Sequence, residues 1–188
     1  MRTSRAFVLI AALVAATAAC SSNEPQAAAP SSSKAPAPAP SSSKAPVAPA
    51  KAPCELLPAD AVAKAIAVSP VTSAPGPVQE NAANKGKSKT CVYSANGKQA
   101  GALAVTRYEG LATKPAKMIQ DIKAKKPGSQ DVGGIGEGAV YYLDEQKTAT
   151  LVAAKLVGGV PTLVSYDGPA KMTAQMMTPL VKAAIDAS

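Results

Sequence analysis

Three cysteines, a cluster of alternating lysines and a complete lack of histidine set the chemistry open to this 188-residue chain. Without His, neither a Ser-His-Asp nor a Cys-His nucleophile is available, and histidine metal sites go with them. Four short strings imitate catalytic or phosphate-binding motifs. Gly86-Lys87-Ser88 has the end of a phosphate loop, but the glycine required five residues earlier is Asn81, and no strand-to-helix step surrounds it. Gly134-Ile135-Gly136-Glu137-Gly138 has the glycines of a dinucleotide turn, yet it follows a helical pattern and leads into a strand, the reverse of that site's order. Ser41-Ser42-Ser43-Lys44 and Ser94-Ala95-Asn96 match two elements of penicillin-recognising enzymes, but the third, Lys-Thr-Gly, is missing. What remains is binding chemistry. Lys85, Lys87 and Lys89 alternate with small residues, so in an extended segment all three share one side, a candidate anion-binding set against the plainer reading of a solvated face. Lys98 stands across the following turn. Met172, Met176 and Met177 form a stripe that is more often core than pocket, though methionine's adaptable shape permits an apolar cavity.

The N-terminus supplies an address. Met1 to Arg5 carries two arginines, and Phe7 to Ala19 is an apolar run too short for the ~20 residues of a membrane-spanning helix. Residues 1–19 therefore read as a signal peptide. The run closes on Thr17-Ala18-Ala19-Cys20, which resembles the lipobox of bacterial lipoproteins, with Thr17 where an aliphatic residue is usual. The resemblance implies lipid attachment at Cys20. The competing reading is ordinary cleavage after Ala16-Thr17-Ala18, which leaves Cys20 a spare thiol. Cysteine arithmetic favours the lipid: acylating Cys20 leaves Cys54 and Cys91 as an even pair, expected to form a disulfide in an oxidising compartment rather than stay reduced in the core.

Residues 20–52 hold the lipidated Cys and a tether of Ser, Ala, Pro and Lys, in which Ser31-Ser32-Ser33-Lys34-Ala35-Pro36 returns as Ser41-Ser42-Ser43-Lys44-Ala45-Pro46. This composition has little to bury and predicts a disordered, polyproline-biased spacer. Residues 53–188 form the globular domain. It contains no Trp or Phe, so its core is built from small aliphatic side chains, Met and five Tyr, and it gains from a crosslink. Its 15 basic and 11 acidic residues give a mild positive charge, suited to anionic headgroups or wall polymers. With a single Arg outside the signal and no interleaved aromatics, nucleic acid is not expected as a partner.

The elements that position these residues follow from periodicity and punctuation. Pro58 to Ile66 predicts a helix and Val71 to Val78 a ragged edge strand, with a polar loop over Asn81 to Lys89. Strands at Thr90 to Ser94 and Ala102 to Tyr108 flank Asn96-Gly97, a pair suited to a tight hairpin. Thr113 is the expected N-cap of a second helix that stops at Pro127-Gly128. Strands follow at Ala139 to Leu143, Thr148 to Leu156 and Pro161 to Tyr166. A C-terminal helix from Met172 to Ile185 is expected to kink near Pro179. The fold class is α+β: an antiparallel sheet of about five to six strands, three helices mainly on one face, and two weakly similar halves.

The segment Pro53-Cys54-Glu55-Leu56-Leu57-Pro58-Ala59-Asp60-Ala61, then Cys91-Val92-Tyr93, then Gly134 to Tyr141 resemble small surface lipoproteins of actinobacteria grouped as a domain of unknown function, and more distantly the extracellular sensor domains of bacterial Ser/Thr kinases. The resemblance implies a disulfide between a cysteine before the first helix and one on a strand, and a glycine turn leading into the second group of strands. Two positions depart from it: Ala67 stands where Gly commonly ends the first helix, and Leu57-Pro58 lacks a Ser or Thr cap. The expectation for function is a lipid-anchored, extracytoplasmic, non-enzymatic binding module without a cofactor or metal, contacting a protein or a wall polymer. The alternative is a carrier or sensor of a small apolar or anionic ligand.

Overall fold

The computed structural model describes residues 51–188, which fall within one compact unit, Ala45–Ser188. The expected signal peptide, Cys20 and nearly all of the tether lie outside the described residues. The chain opens with α1 (Pro53–Leu56) and α2 (Ala59–Ile66), followed by β1 (Val71–Pro75), β2 (Gln79–Asn81), β3 (Gly86–Ala95) and β4 (Lys98–Tyr108). Then come α3 (Pro115–Lys125), β5 (Gln130–Asp131), β6 (Gly138–Leu143), β7 (Ala149–Val157), β8 (Val160–Gly168) and α4 (Ala174–Ala187). Eight strands make one sheet in the order β1-β3-β4-β8-β7-β6-β5, with β2 beside the start of β3. Every pairing is antiparallel.

The class is α+β, but the counts correct the expectation of five to six strands and three helices. The additional strands are β2 and β5, three and two exposed polar residues whose side chains carry no strand signal because they bury nothing. The polar loop expected over Asn81 to Lys89 is strand from Gly86 onward. The fourth helix is the single turn α1, parted from α2 by the extended Leu57 and Pro58; at its start the Ala52 N–H donates to Glu55 Oε2 at 3.1 Å. The first residue before α3 is Lys114, not the expected cap Thr113, and no side chain caps it. Thr173 caps α4 by accepting the Met176 N–H, and that helix runs through Pro179 as one element. No helix among the described residues is long and apolar enough to cross a membrane.

Alternation divides the sheet between two faces. Cys91, Tyr93, Leu103, Val105, Leu151, Ala153, Val164 and Tyr166 point to the face covered by α1, α2 and α4, and form the main core with Leu57, Val62, Met177, Val181 and Ile185. The other face carries only α3, whose Ile119 packs with Val140, Val152 and Ala154. Three of the four helices thus lie on one face, in keeping with helices packed mainly on one side, and α3 alone takes the other. β7 is buried on both sides from Ala149 to Ala154, whereas α3 leaves the second face of β1, β3 and β4 uncovered.

Three links tie the small core together. Cys54 and Cys91 form a disulfide with Cα atoms 5.1 Å apart, joining α1 to β3. Two residues along β3, the buried Tyr93 hydroxyl donates to Leu57 O at 2.6 Å. Tyr166 lies across Gly101, where a Cβ would come within 2.1 Å of its hydroxyl oxygen, so only glycine fits. Burial pushes the Tyr166 hydroxyl up to about 12.

Ala67, exposed at the end of α2, stands at φ 53°, the left-handed conformation in which a Cβ is crowded. Ala67→Gly removes that crowding and is expected to raise the unfolding free energy by about 1 kcal/mol, net of glycine's greater unfolded-state entropy. Urea denaturation checks it, and an unchanged or lower midpoint at constant slope contradicts the strain.

Candidate functional site

The sheet register assembles a row of cations that spacing along the chain does not reveal. Glu80 in β2 pairs with Lys87 in β3, Lys87 with Arg107 in β4, Arg107 with Thr162 in β8, and Thr162 with Lys155 in β7. Residues directly opposite one another share a face, so Lys87, Arg107 and Lys155 line up on the helix-rich side within about 15 Å at the usual strand spacing. Lys89 joins them two residues further along β3. Lys87 lies 3.6 Å from Glu80, an exposed pair of small energetic weight. Arg107 has no carboxylate within ion-pair distance among the described residues, and buried Thr162 forms the floor between it and Lys155. At the far end, the hydrogen bond from Lys182 holds the Asp186 carboxyl below its ordinary range, with Lys155 adding to the effect.

Of the expected anion set, Lys87 and Lys89 extend from one side of β3, while Lys85 sits in the preceding turn at φ 56°, out of phase with the strand. Lys98 opens β4 opposite Ala95, eight residues up β3 from Lys87 and about 27 Å away. The partners that do meet Lys87 and Lys89 are Arg107 and Lys155, residues the sequence reading missed. Gly86-Lys87-Ser88 is extended strand. Gly136, at φ 55°, lets the chain pass so close to Ala154 O that a Cβ would approach within 2.4 Å, and the next N–H donates to that oxygen at 2.7 Å. This glycine string is a strand entry. Met172 and Met177 are fully buried core.

The second face has its own row: Ala74, Val92 and Ala102 on its uncovered part, then Asp167, Thr150 and Tyr142 toward α3, one from each of β1, β3, β4, β8, β7 and β6. Thr150 donates its hydroxyl to Asp167 at 2.7 Å. Burial pushes the Asp167 carboxyl up, the Thr150 hydrogen bond pulls it down, and Asp144 pushes it up again. Burial also raises Tyr142, over whose ring Lys126 sits 5.2 Å from the centroid. Among the described residues no three His, Cys, Asp or Glu side chains converge as metal ligands.

The family described as Protein of unknown function (DUF3558) matches residues 15–167, more than half of the chain. The chain belongs to DUF3558. No curated protein and no solved structure matches it. The match reaches from before Cys20 to Asp167 in β8, so it takes in the disulfide, the cation row and the open face of this DUF3558 member, and stops short of α4. The earlier resemblance to a domain of unknown function is thereby upheld at the level of the family.

Asp167 gives the second face of the sheet a pH signature. Its folded value lies above the unfolded one, near about 3.9, so the native state binds more protons across that interval. The contribution to stability is present below the unfolded value and is lost as pH rises through the folded one. Asp167→Asn keeps an acceptor for Thr150 and removes the charge. The variant should melt with the parent near pH 3 and above it near pH 7. A difference that stays flat between those limits counts against a desolvated carboxylate.

Proposed function

We propose that this DUF3558 protein is a membrane-anchored extracytoplasmic lipoprotein whose domain is a non-enzymatic binding module for a protein or envelope component. The observation that carries the reading is the Cys54–Cys91 disulfide. It belongs to an oxidising compartment and occupies two of the chain's three cysteines, leaving Cys20, the residue of the lipobox-like string, as the odd thiol. The tether then serves as a spacer, up to about 3.1 Å per residue when extended, that keeps the domain clear of the bilayer.

The cation row supports an anionic partner within that reading. Arg107 offers a planar fork for phosphate or carboxylate, and Lys87, Lys89 and Lys155 add charge on the same side. The methionine stripe supplies no cavity for the carrier alternative, since Met172 and Met177 are packed core.

Cys20→Ser is expected to move the protein from the membrane fraction to the soluble or secreted one and to remove the mass of the acyl groups from the mature chain. If fraction and mass stay the same, the anchor is refuted. Separately, replacing Lys87, Arg107 and Lys155 together by Gln should weaken retention on isolated envelope material about tenfold at low salt and abolish most of its salt dependence. Retention that is equally strong and equally salt-sensitive in the triple variant excludes the row.

A further inference from the structure

The open face carries a groove that the cation row does not use. It has a volume of about 600 Å³ and lies where β2 and the turn after it rise beside the ends of β3 and β4, within the range of about 300–1,000 Å³ common for small-molecule sites. Its floor follows from the register. Gln79 pairs with Ser88, Ser88 with Thr106, Asn81 with Gly86, and Gly86 with Tyr108, so all six side positions belong to the face opposite Lys87 and Arg107.

The lining has a consistent chemistry. Tyr108 lies beside Gly86, where a Cβ would come within 2.9 Å of its ring, so the glycine is what lets the ring settle onto the strand. The ring is half-buried, and burial raises its hydroxyl above the ordinary tyrosine value. Asn81 Oδ1 accepts the Ala83 N–H and Asn84 Oδ1 accepts the Gly86 N–H, both at 3.0 Å. Each asparagine oxygen is thus engaged in holding the turn, with one lone pair left, and the NH2 adds a donor. Ser88 and Thr106 add hydroxyls that both donate and accept. No lysine or arginine lines the groove, which disfavours a phosphate or carboxylate. The lining has no aliphatic side chain larger than alanine, which disfavours an apolar peptide anchor.

An aromatic ring for an aliphatic CH surface, surrounded by amide donors and hydroxyls without net positive charge, is the complement of a neutral sugar. We propose that this groove is a subsite for a neutral, hydroxyl- or acetamido-bearing glycan; the assignment rests on the reading of the domain as a binder of envelope components and names the chemical class. Thr90, Ala104 and Ser165 are consecutive in the next row of the same face and half-exposed, so the sheet offers an oligosaccharide a polar path beyond the sugar at Tyr108.

Calorimetric titration of the full chain, purified in detergent, with β-1,4-linked tetramers of N-acetylglucosamine and of glucose tests it. At least one tetramer should bind with a millimolar or tighter constant, and added salt should leave that constant unchanged. Asn84→Asp keeps the oxygen that holds the turn and replaces the donor, and Thr106→Val removes a hydroxyl at constant shape. Each should weaken binding at least fivefold while the melting temperature and the envelope retention due to the cation row persist. Tyr108→Leu should abolish binding, and Tyr108→Phe should keep most of it. If neither tetramer binds, or if binding is indifferent to Asn84→Asp and Thr106→Val in variants that melt normally, the groove is not a glycan site. Envelope retention measured on the same preparation separates that failure from failure of the broader reading, which falls only if retention is also absent.

Discussion

The crosslink between α1 and β3 is the constraint on which the rest of the domain leans. A four-residue helix has no independent stability, because nucleation outweighs one turn of hydrogen bonds, yet Leu56 and Leu57 beside it are buried at the centre of the main core. Cys54–Cys91 and the Tyr93–Leu57 hydrogen bond hold that turn against β3 from two adjacent core positions on the strand. Closing a separation of 37 residues removes loop entropy worth about 3–4 kcal/mol from the unfolded chain. That is a large share of the 5–15 kcal/mol typical of a domain. A core of Ala, Val, Leu, Ile and Met, with one buried tyrosine pair, Tyr93 and Tyr166, and no Trp or Phe, gains less per residue from burial, so the covalent link adds weight where aromatic packing is sparse.

From that anchored corner the helices distribute unevenly. α1, α2 and α4 cover the core of one side and leave the cation row at its margin solvent-accessible, and α3 packs against β6, β7 and β8 on the other. The side chains of the second face change accordingly. Under α3 they are Val140, Val152 and Ala154. Beyond it they become Thr90, Ala104, Thr106 and Ser165, small and half-exposed. The open face is therefore written into the strands as solvated surface, and the short polar strand β2 is added along its margin to raise one wall of a groove.

Much of this was legible in the sequence where the signal was local. Asn96-Gly97 sits at φ 51° and 70° between β3 and β4, as a two-residue hairpin requires. The runs that became β6, β7, β8 and α4 have strong apolar patterns, and the two domain cysteines paired as their parity implied. The departure at Ala67 was also informative, since the structure places that alanine in the conformation for which glycine is the natural occupant. The failures were non-local. β2 and β5 bury nothing, so only backbone pairing defines them. The face chosen by α3 depends on where a connection crosses the sheet edge. The cation row joins residues 87, 107 and 155, and the groove joins β2 to the far end of the β3–β4 hairpin. Both need the register of strands distant in sequence.

Register, in turn, depends on one extra residue. Next to the hairpin turn Ala95 faces Lys98 and Ser94 faces Gln99, but Tyr93 faces Gly101, so Ala100 is inserted as a bulge. Beyond it every residue of β4 is shifted by one relative to the pairing the turn alone would impose. Side chains alternate with period two, so that shift decides which set of β4 residues points inward. With it, Leu103 and Val105 meet the core, Gly101 makes room for Tyr166, and Arg107 joins Lys87 on the helix-rich side while Thr106 and Tyr108 line the groove. Without it, Ala102, Ala104 and Thr106 would point at the core, and Leu103 and Val105 would be exposed to water. The same inserted alanine thus serves stability and sorts a basic surface from a neutral one along a single pair of strands. Burial of Leu103 and Val105 enforces the sorting, because any slip that mixed the two surfaces would also empty the core.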